Sequence, residues 1–318
     1  VGGGSSFGEA IDEEQSVGAG LNIDQSDVTT RPYVSTYVRD YLLANDGKAT
    51  GTGTGCRVDT VLDPETGLYN CPTGQEATFD NQFNGDFLTY NLNLGWSYNT
   101  LNRPVFPTSG MSHRVNGEIA LPGSDVEYQK ITYDAQAYFP LGKDFVLRGY
   151  GKLGYGNDLP FYKNFYAGGF GSVRGYDNST LGPKYPGVTY KELQDINPKN
   201  SGDPDPEEVG GNALVQFGAE LALPIPFKGD WTRQVRPVLF AEGAQVFDTQ
   251  CDVPRSATDK QYCEDNFGFD AENFRYSVGV GFTWITMIGP LSLSYAYPLN
   301  DKAGDETKNI QFEIGRTF

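Results

Sequence analysis

The residues best placed to do chemistry here are charged groups set in apolar company, and Arg174 leads them. It sits in the run Val173, Arg174, Gly175, Tyr176, inside the stretch LPFYKNFYAGGFGSVRGYDNSTLGPK. That stretch is aromatic and glycine-rich, too apolar to be left in water, so it should pack against something. A guanidinium carried along with it needs carboxylate partners, because burying an unpaired charge is costly. Gly175 can take positive φ, which lets the segment fold back on itself. Two acidic residues downstream are candidate partners. Glu220 lies among Val215, Phe217, Ala219, Leu221 and Leu223, and alternation puts it on the opposite face from them. Glu242 is the second, in a stretch that alternates less cleanly. The chemistry this set offers is an electrostatic latch.

Covalent chemistry finds no support. The sequence has one histidine, His113, no GxSxG and no plausible triad, so an enzyme is not expected. Cofactors are not expected either. Four cysteines form two close pairs, Cys56 with Cys71 and Cys251 with Cys263, each in a polar Gly/Asp/Thr-rich stretch. Local disulfides in exposed loops, and hence an oxidising compartment, are the simplest reading. No CxxC occurs and His113 is remote from both pairs, so no metal site is expected. The acidic, proline-rich NPKNSGDPDPEE lacks a fixed frame for calcium and should be a solvated tip. A net charge of −17, from 41 acidic and 24 basic residues, repels nucleic acid, so none is expected as a partner.

The elements that must position the latch are strands. In Leu88 to Tyr98 one face carries Leu88, Tyr90, Leu92, Leu94, Trp96 and Tyr98, and the other Thr89, Asn91, Asn93, Gly95 and Ser97. A helix, with a period of 3.6, cannot separate these sets. The split recurs along the chain and predicts eleven strands, near 1–8, 15–26, 87–99, 110–121, 128–140, 144–156, 211–224, 235–248, 274–287, 290–299 and 309–318. The last opposes Ile310, Phe312, Ile314 and Phe318 to Gln311, Glu313, Gly315 and Thr317. A soluble sandwich also alternates. Aromatic residues at strand ends, such as Trp96, Tyr98, Tyr155, Trp284 and Tyr297, favour a membrane girdle instead. Connections alternate too: IDEE, LGK and MIG are short, while 27–86, 157–210, 249–273 and 300–307 are long. The expectation is an all-β transmembrane antiparallel barrel in contact with lipid, with turns on the periplasmic side and loops outside. Within 27–86, residues 34–45 predict a short helix. The 157–210 loop is far longer than most connections and is expected to fold into the lumen as a lid. Eleven is odd for a bacterial barrel, and the chain opens on VGGGSSFG as if in mid-strand, so earlier strands are expected to be missing.

FYKNFYAGGFGSVRGY followed by NSTLGPK resembles the lid loop of the BamA family, the outer-membrane β-barrel assembly factors. MIGPLSLSYAYPL with a terminal Phe318 resembles that family's last two strands. The resemblance covers nearly the whole chain and is most specific in these two places. It implies a sixteen-stranded barrel in the bacterial outer membrane, of which this chain holds about the last eleven strands. It implies that Arg174 pairs with inner-wall acids that map to Glu220 and Glu242. It further implies a lateral seam bounded by the final strand (Ile310, Phe312, Ile314, Gly315, Phe318), with unfolded outer-membrane proteins as substrates. The family's lipoprotein partners would bind through N-terminal POTRA domains that this sequence lacks. A related secretion or translocation pore, or a plain porin, are the competing expectations. Gly315 has two readings: a weak point in the seam, or a small residue beneath a neighbouring aromatic.

Overall fold

The computed structural model describes residues 2–30, 35–45, 48–54, 78–142, 144–185, 207–225, 229, 234–251, 257–287, 289–302 and 304–315. Eleven strands follow one another as an antiparallel meander, each paired to the next. They are β1 (Gly2–Ala10), β2 (Gln15–Thr29), β3 (Thr78–Asn99), β4 (Gly110–Ala120), β5 (Gln129–Gly142) and β6 (Phe145–Asn157). After the lid loop come β7 (Ala213–Ala222), β8 (Val235–Phe247), β9 (Arg275–Thr286), β10 (Gly289–Pro298) and β11 (Ile310–Ile314). A further strand, Lys48–Thr54, pairs with the start of β3. Among the described residues the sheet is open, with β1 and β11 at its two edges.

The distribution of polarity decides between sandwich and membrane barrel. Large apolar side chains are exposed on one parity: Leu21, Ile23, Leu94, Leu153, Phe217, Leu239, Val280, Tyr295 and Phe312 among them. Polar ones are buried on the other: Thr89, Asn91, Gln216, Glu220, Glu242, Thr283, Ser292 and Gln311. A protein folded in water would place these groups the other way round. An exposed apolar band around a polar interior is the arrangement lipid demands, and strands with their backbone paired to neighbours meet its other requirement. Among the described residues no helix is long and apolar enough to cross a membrane.

The long connection after β2 is shorter than the sequence reading made it, because β2 runs on to Thr29 and β3 begins at Thr78. Polar and glycine residues obscured the alternation there, yet backbone pairing continues beyond the apolar band. Helix α1 (Thr36–Ala44) lies in this connection. It buries Tyr37, Val38, Tyr41 and Leu42 on one face. Tyr41 meets Phe161 of the lid loop edge-on at 5.5 Å, while Phe87 of β3 stacks on Tyr162 at 5.6 Å. The helix thus roofs the start of the lid. Cys251 and Cys263 form a disulfide in the β8–β9 connection, across α2 (Ala257–Asn266). Cys56, Cys71, Phe318 and residues 197–206 of the acidic segment lie outside the described residues. The segment's last two residues, Glu207 and Glu208, pair with Tyr185 and Lys184.

Candidate functional site

The loop between β6 and β7 turns back against the inner wall, and Val173, Arg174, Gly175 and Tyr176 are all buried. The structure brings Arg174 together with both acids. Its Nη2 donates to Glu220 Oε1 at 2.7 Å and to Glu242 Oε1 at 2.5 Å. Its Nε donates to Glu242 Oε1 at 2.9 Å, and its backbone N–H to Glu242 Oε2 at 2.8 Å. The guanidinium lies over the Phe240 ring, 3.5 Å from its centre. Arg174 is 1% exposed, so solvent screens these contacts little. Burial alone would lower the Arg174 pKa, but Glu242 and Glu220 more than reverse this and hold it above its ordinary value, fully charged.

The wall supplies further members that the sequence reading did not single out as partners. Arg148 of β6 donates to Glu220 Oε2 at 2.7 Å and to Gln136 Oε1 at 3.0 Å. Tyr150 donates its hydroxyl to Glu242. Each carboxylate therefore has a partner on the wall before the lid arginine arrives. With two guanidiniums and two carboxylates, the cluster is neutral. Strand register was the signal that could have found Arg148, since it lies directly opposite Glu220 in the β6–β7 pair.

The lid has a second ionic anchor on the far side of the sheet. Lys163 Nζ lies 3.0 Å from Glu118 Oε1 of β4 and 3.7 Å from Asp24 Oδ2 of β2. Tyr128 also donates to Glu118 Oε1, at 2.5 Å. Burial and that carboxylate raise the Tyr128 pKa well above the usual phenol range. Around the two anchors Phe165, Ala167, Val173, Tyr176 and Leu181 are buried in one cluster that includes Ala244 and Val246 of β8. Inward-facing apolar residues on β8, Val238, Phe240, Ala244 and Val246, are why its alternation reads poorly: Ala244 and Val246 pack in the lid cluster, and Val238 and Phe240 in a second wall cluster against which Phe170 packs.

On the last strand, Ile310, Phe312 and Ile314 are exposed on the lipid parity and Gln311 is buried on the lumen side. Gly315 ends the strand with φ +97°. Among the described residues a Cβ built there meets nothing within 4 Å, and the positive φ is a conformation that glycine adopts freely.

A polar inner face, a lipid-facing apolar band and a loop folded in against the wall together define part of an outer-membrane β-barrel. The chain belongs to the Omp85 superfamily, whose domain matches residues 1–318. It is 38% identical over 260 residues to the outer membrane protein assembly factor BamA of Neisseria meningitidis, covering 77% of this chain and 30% of that protein. It is 27% identical over 246 residues to the mouse sorting and assembly machinery component 50 homolog, covering 74% of this chain and 46% of that one. Among solved structures, BamA from Haemophilus ducreyi lacking POTRA domains 1-3 superposes with a TM-score of 0.73 at 30% identity. That match covers 98% of this chain and 53% of the solved one. The chain thus spans about a third to a half of the length of these relatives.

Proposed function

We propose that this chain is the barrel portion of an outer-membrane protein assembly factor, which templates the folding and insertion of other β-barrels through a lateral seam. An unfolded strand entering lipid leaves backbone groups unpaired at several kcal/mol each. An exposed strand edge removes that cost by pairing the client strand before it leaves for lipid. In this reading β11 is one side of the seam, and Ile310, Phe312 and Ile314 face hydrocarbon beside the client. Gly315, which closes β11 with φ +97°, lies on the same edge. No bond is made or broken, so the work is not enzymatic. Clients are unfolded outer-membrane proteins; the lipoprotein subunits of the machinery bind outside this chain, through N-terminal domains.

The single observation that carries the proposal is the Arg174 latch. A diffusion porin needs an open lumen, whereas here a loop folds in against the inner wall and is held there by a buried, charge-balanced cluster. In the full-length protein, Arg174→Ala is expected to lower the outer-membrane levels of other barrels, read by immunoblot. Its own insertion persists, because the wall keeps the Arg148–Glu220 and Tyr150–Glu242 contacts. Wild-type client levels with the variant present at normal abundance would overturn the lid role. Steady, ungated conductance of the wild-type protein in a planar bilayer would favour the porin.

A further inference from the structure

We infer that the lid holds the final strand in register, so that the Arg174 latch and the edge of β11 form one mechanically coupled unit with Gln311 as its joint. This deepens the proposed function and rests on reading that edge as the seam.

The motif that carries the latch continues directly into contacts with the chain leading into β11. Gly175 and Tyr176 pair as a short antiparallel ladder with Lys308 and Thr307. The Asp177 N–H donates to Glu306 O at 2.8 Å. Lys308 Nζ approaches both Asp177 carboxylate oxygens, at 3.3 and 3.4 Å. Deepest of all, Gln311 Nε2 donates to Tyr176 O at 2.6 Å, in a fully buried contact. Gln311 is an inward-facing residue of β11 itself, so this bond runs from the lid to the strand with nothing between.

β11 meets β10 through five register pairs, from Leu291↔Ile314 to Tyr295↔Ile310, and has no neighbour on its other side among the described residues. β9 and β10 share ten, from Ser277↔Pro298 to Thr286↔Gly289. Pairing of β11 with β10 continues at both ends, through Ala296 N–H to Asn309 O and Gly315 N–H to Pro290 O, and the lid contacts add to it at the strand's N-terminal end. The lid can lie this close because residue 175 is glycine. Its φ is +95°, and a Cβ there would come within 3.2 Å of Ala296 Cβ on β10. Lid and strand edge therefore share an element whose arrangement both bias, which is what coupling requires.

Hydrogen–deuterium exchange of the full-length protein in lipid nanodiscs, without client, tests this. Gln311→Leu cuts the joint, and Arg174→Ala releases the latch on the opposite side of Tyr176. Each is expected to speed exchange of amides 310–314 about fivefold, the effect of losing the Gln311–Tyr176 bond through which the lid reaches the strand, while β4 to β6 stay at wild-type rates. Coupling is reciprocal. A nitroxide at exposed Ser179, introduced as Ser179→Cys, is therefore expected to become more mobile in Gln311→Leu. If Gln311→Leu does not insert, Arg174→Ala, whose own insertion persists, carries the test. Exchange at 310–314 unchanged in either the joint or the latch variant overturns the inference. Because no client is present, the two readings fail separately: defective assembly with unaltered β11 exchange sinks the coupling alone. Altered exchange with normal assembly sinks the function alone.

Discussion

At the scale of residues, what matters is that the lid arginine enters a receptor already balanced by the wall. Removing one member of a buried ion cluster strands its partners, typically at about 3–5 kcal/mol, whereas removing a matched pair strands nothing. Glu220→Gln leaves Arg148 and Arg174 facing Glu242 alone, and Arg148→Met leaves an excess negative charge. The double variant Arg148→Met, Glu220→Gln restores neutrality and keeps the Arg174–Glu242 contacts, whose closest is 2.5 Å. Unfolding of the three variants in urea, followed by the heat-modifiable band shift, is expected to give a coupling energy of about 1–3 kcal/mol. Strictly additive losses would show that Arg148 and Glu220 act independently. Asp177 is a milder case. The Asn178 N–H and the Lys308 ammonium hold its carboxyl below the usual range. Its contribution is therefore present at neutral pH and fades only as pH falls through that lowered value. The pair is exposed and screened by salt, so it trims the lid contact and does not decide it.

At the scale of elements, the lid is a strap fixed at two ends, by Lys163 on β2 and β4 and by Arg174 on β7 and β8, with α1 and the β8–β9 connection packed around it. The disulfide joins that connection to the core: Cys263 is fully buried and packs in the same cluster as Leu181 and Val246. The cysteines are separated by 12 positions. Closing a loop of this size contributes about 3 kcal/mol in the chain-entropy account. Reduction under native conditions is expected to open 251–266 to limited proteolysis while the barrel band shift survives, since β8 and β9 remain paired over ten positions. Loss of the band shift on reduction would instead make the bridge essential to the wall. Most of these elements were legible. Strand positions and Glu220's inward aim follow from period two, and the helix at 34–45 from its spaced apolar residues. Lys163 and Arg148 were not legible, because a lysine in an aromatic loop and an arginine on a polar strand face acquire meaning only from register and loop path. The extension of β2 and β3 past the apolar band escaped for a related reason: above the bilayer nothing imposes alternation, and backbone pairing alone continues the strand.

For the whole molecule, the governing fact is that its polarity is inverted, and this can be tested apart from any assembly role. Val280 is 50% exposed at the middle of β9, opposite Leu239 and Tyr295, which are likewise exposed. If lipid covers that face, Val280→Arg places a charge near the bilayer centre, where arginine costs about 2–4 kcal/mol. Asn116 of β4 has the opposite parity and lines the lumen cavity with Arg114, Asp134 and Arg148. Asn116→Arg adds the same side chain to a wet wall that already carries charge and is expected to cost under about 1 kcal/mol, the usual scale of a screened surface change. Urea titrations of the two variants refolded into vesicles should therefore separate by more than 1 kcal/mol, with Val280→Arg the less stable. Equal losses would mean that both faces meet the same solvent. That would remove the membrane from the argument, and with it the reason for a strand edge to wait unpaired and for a lid to steady it.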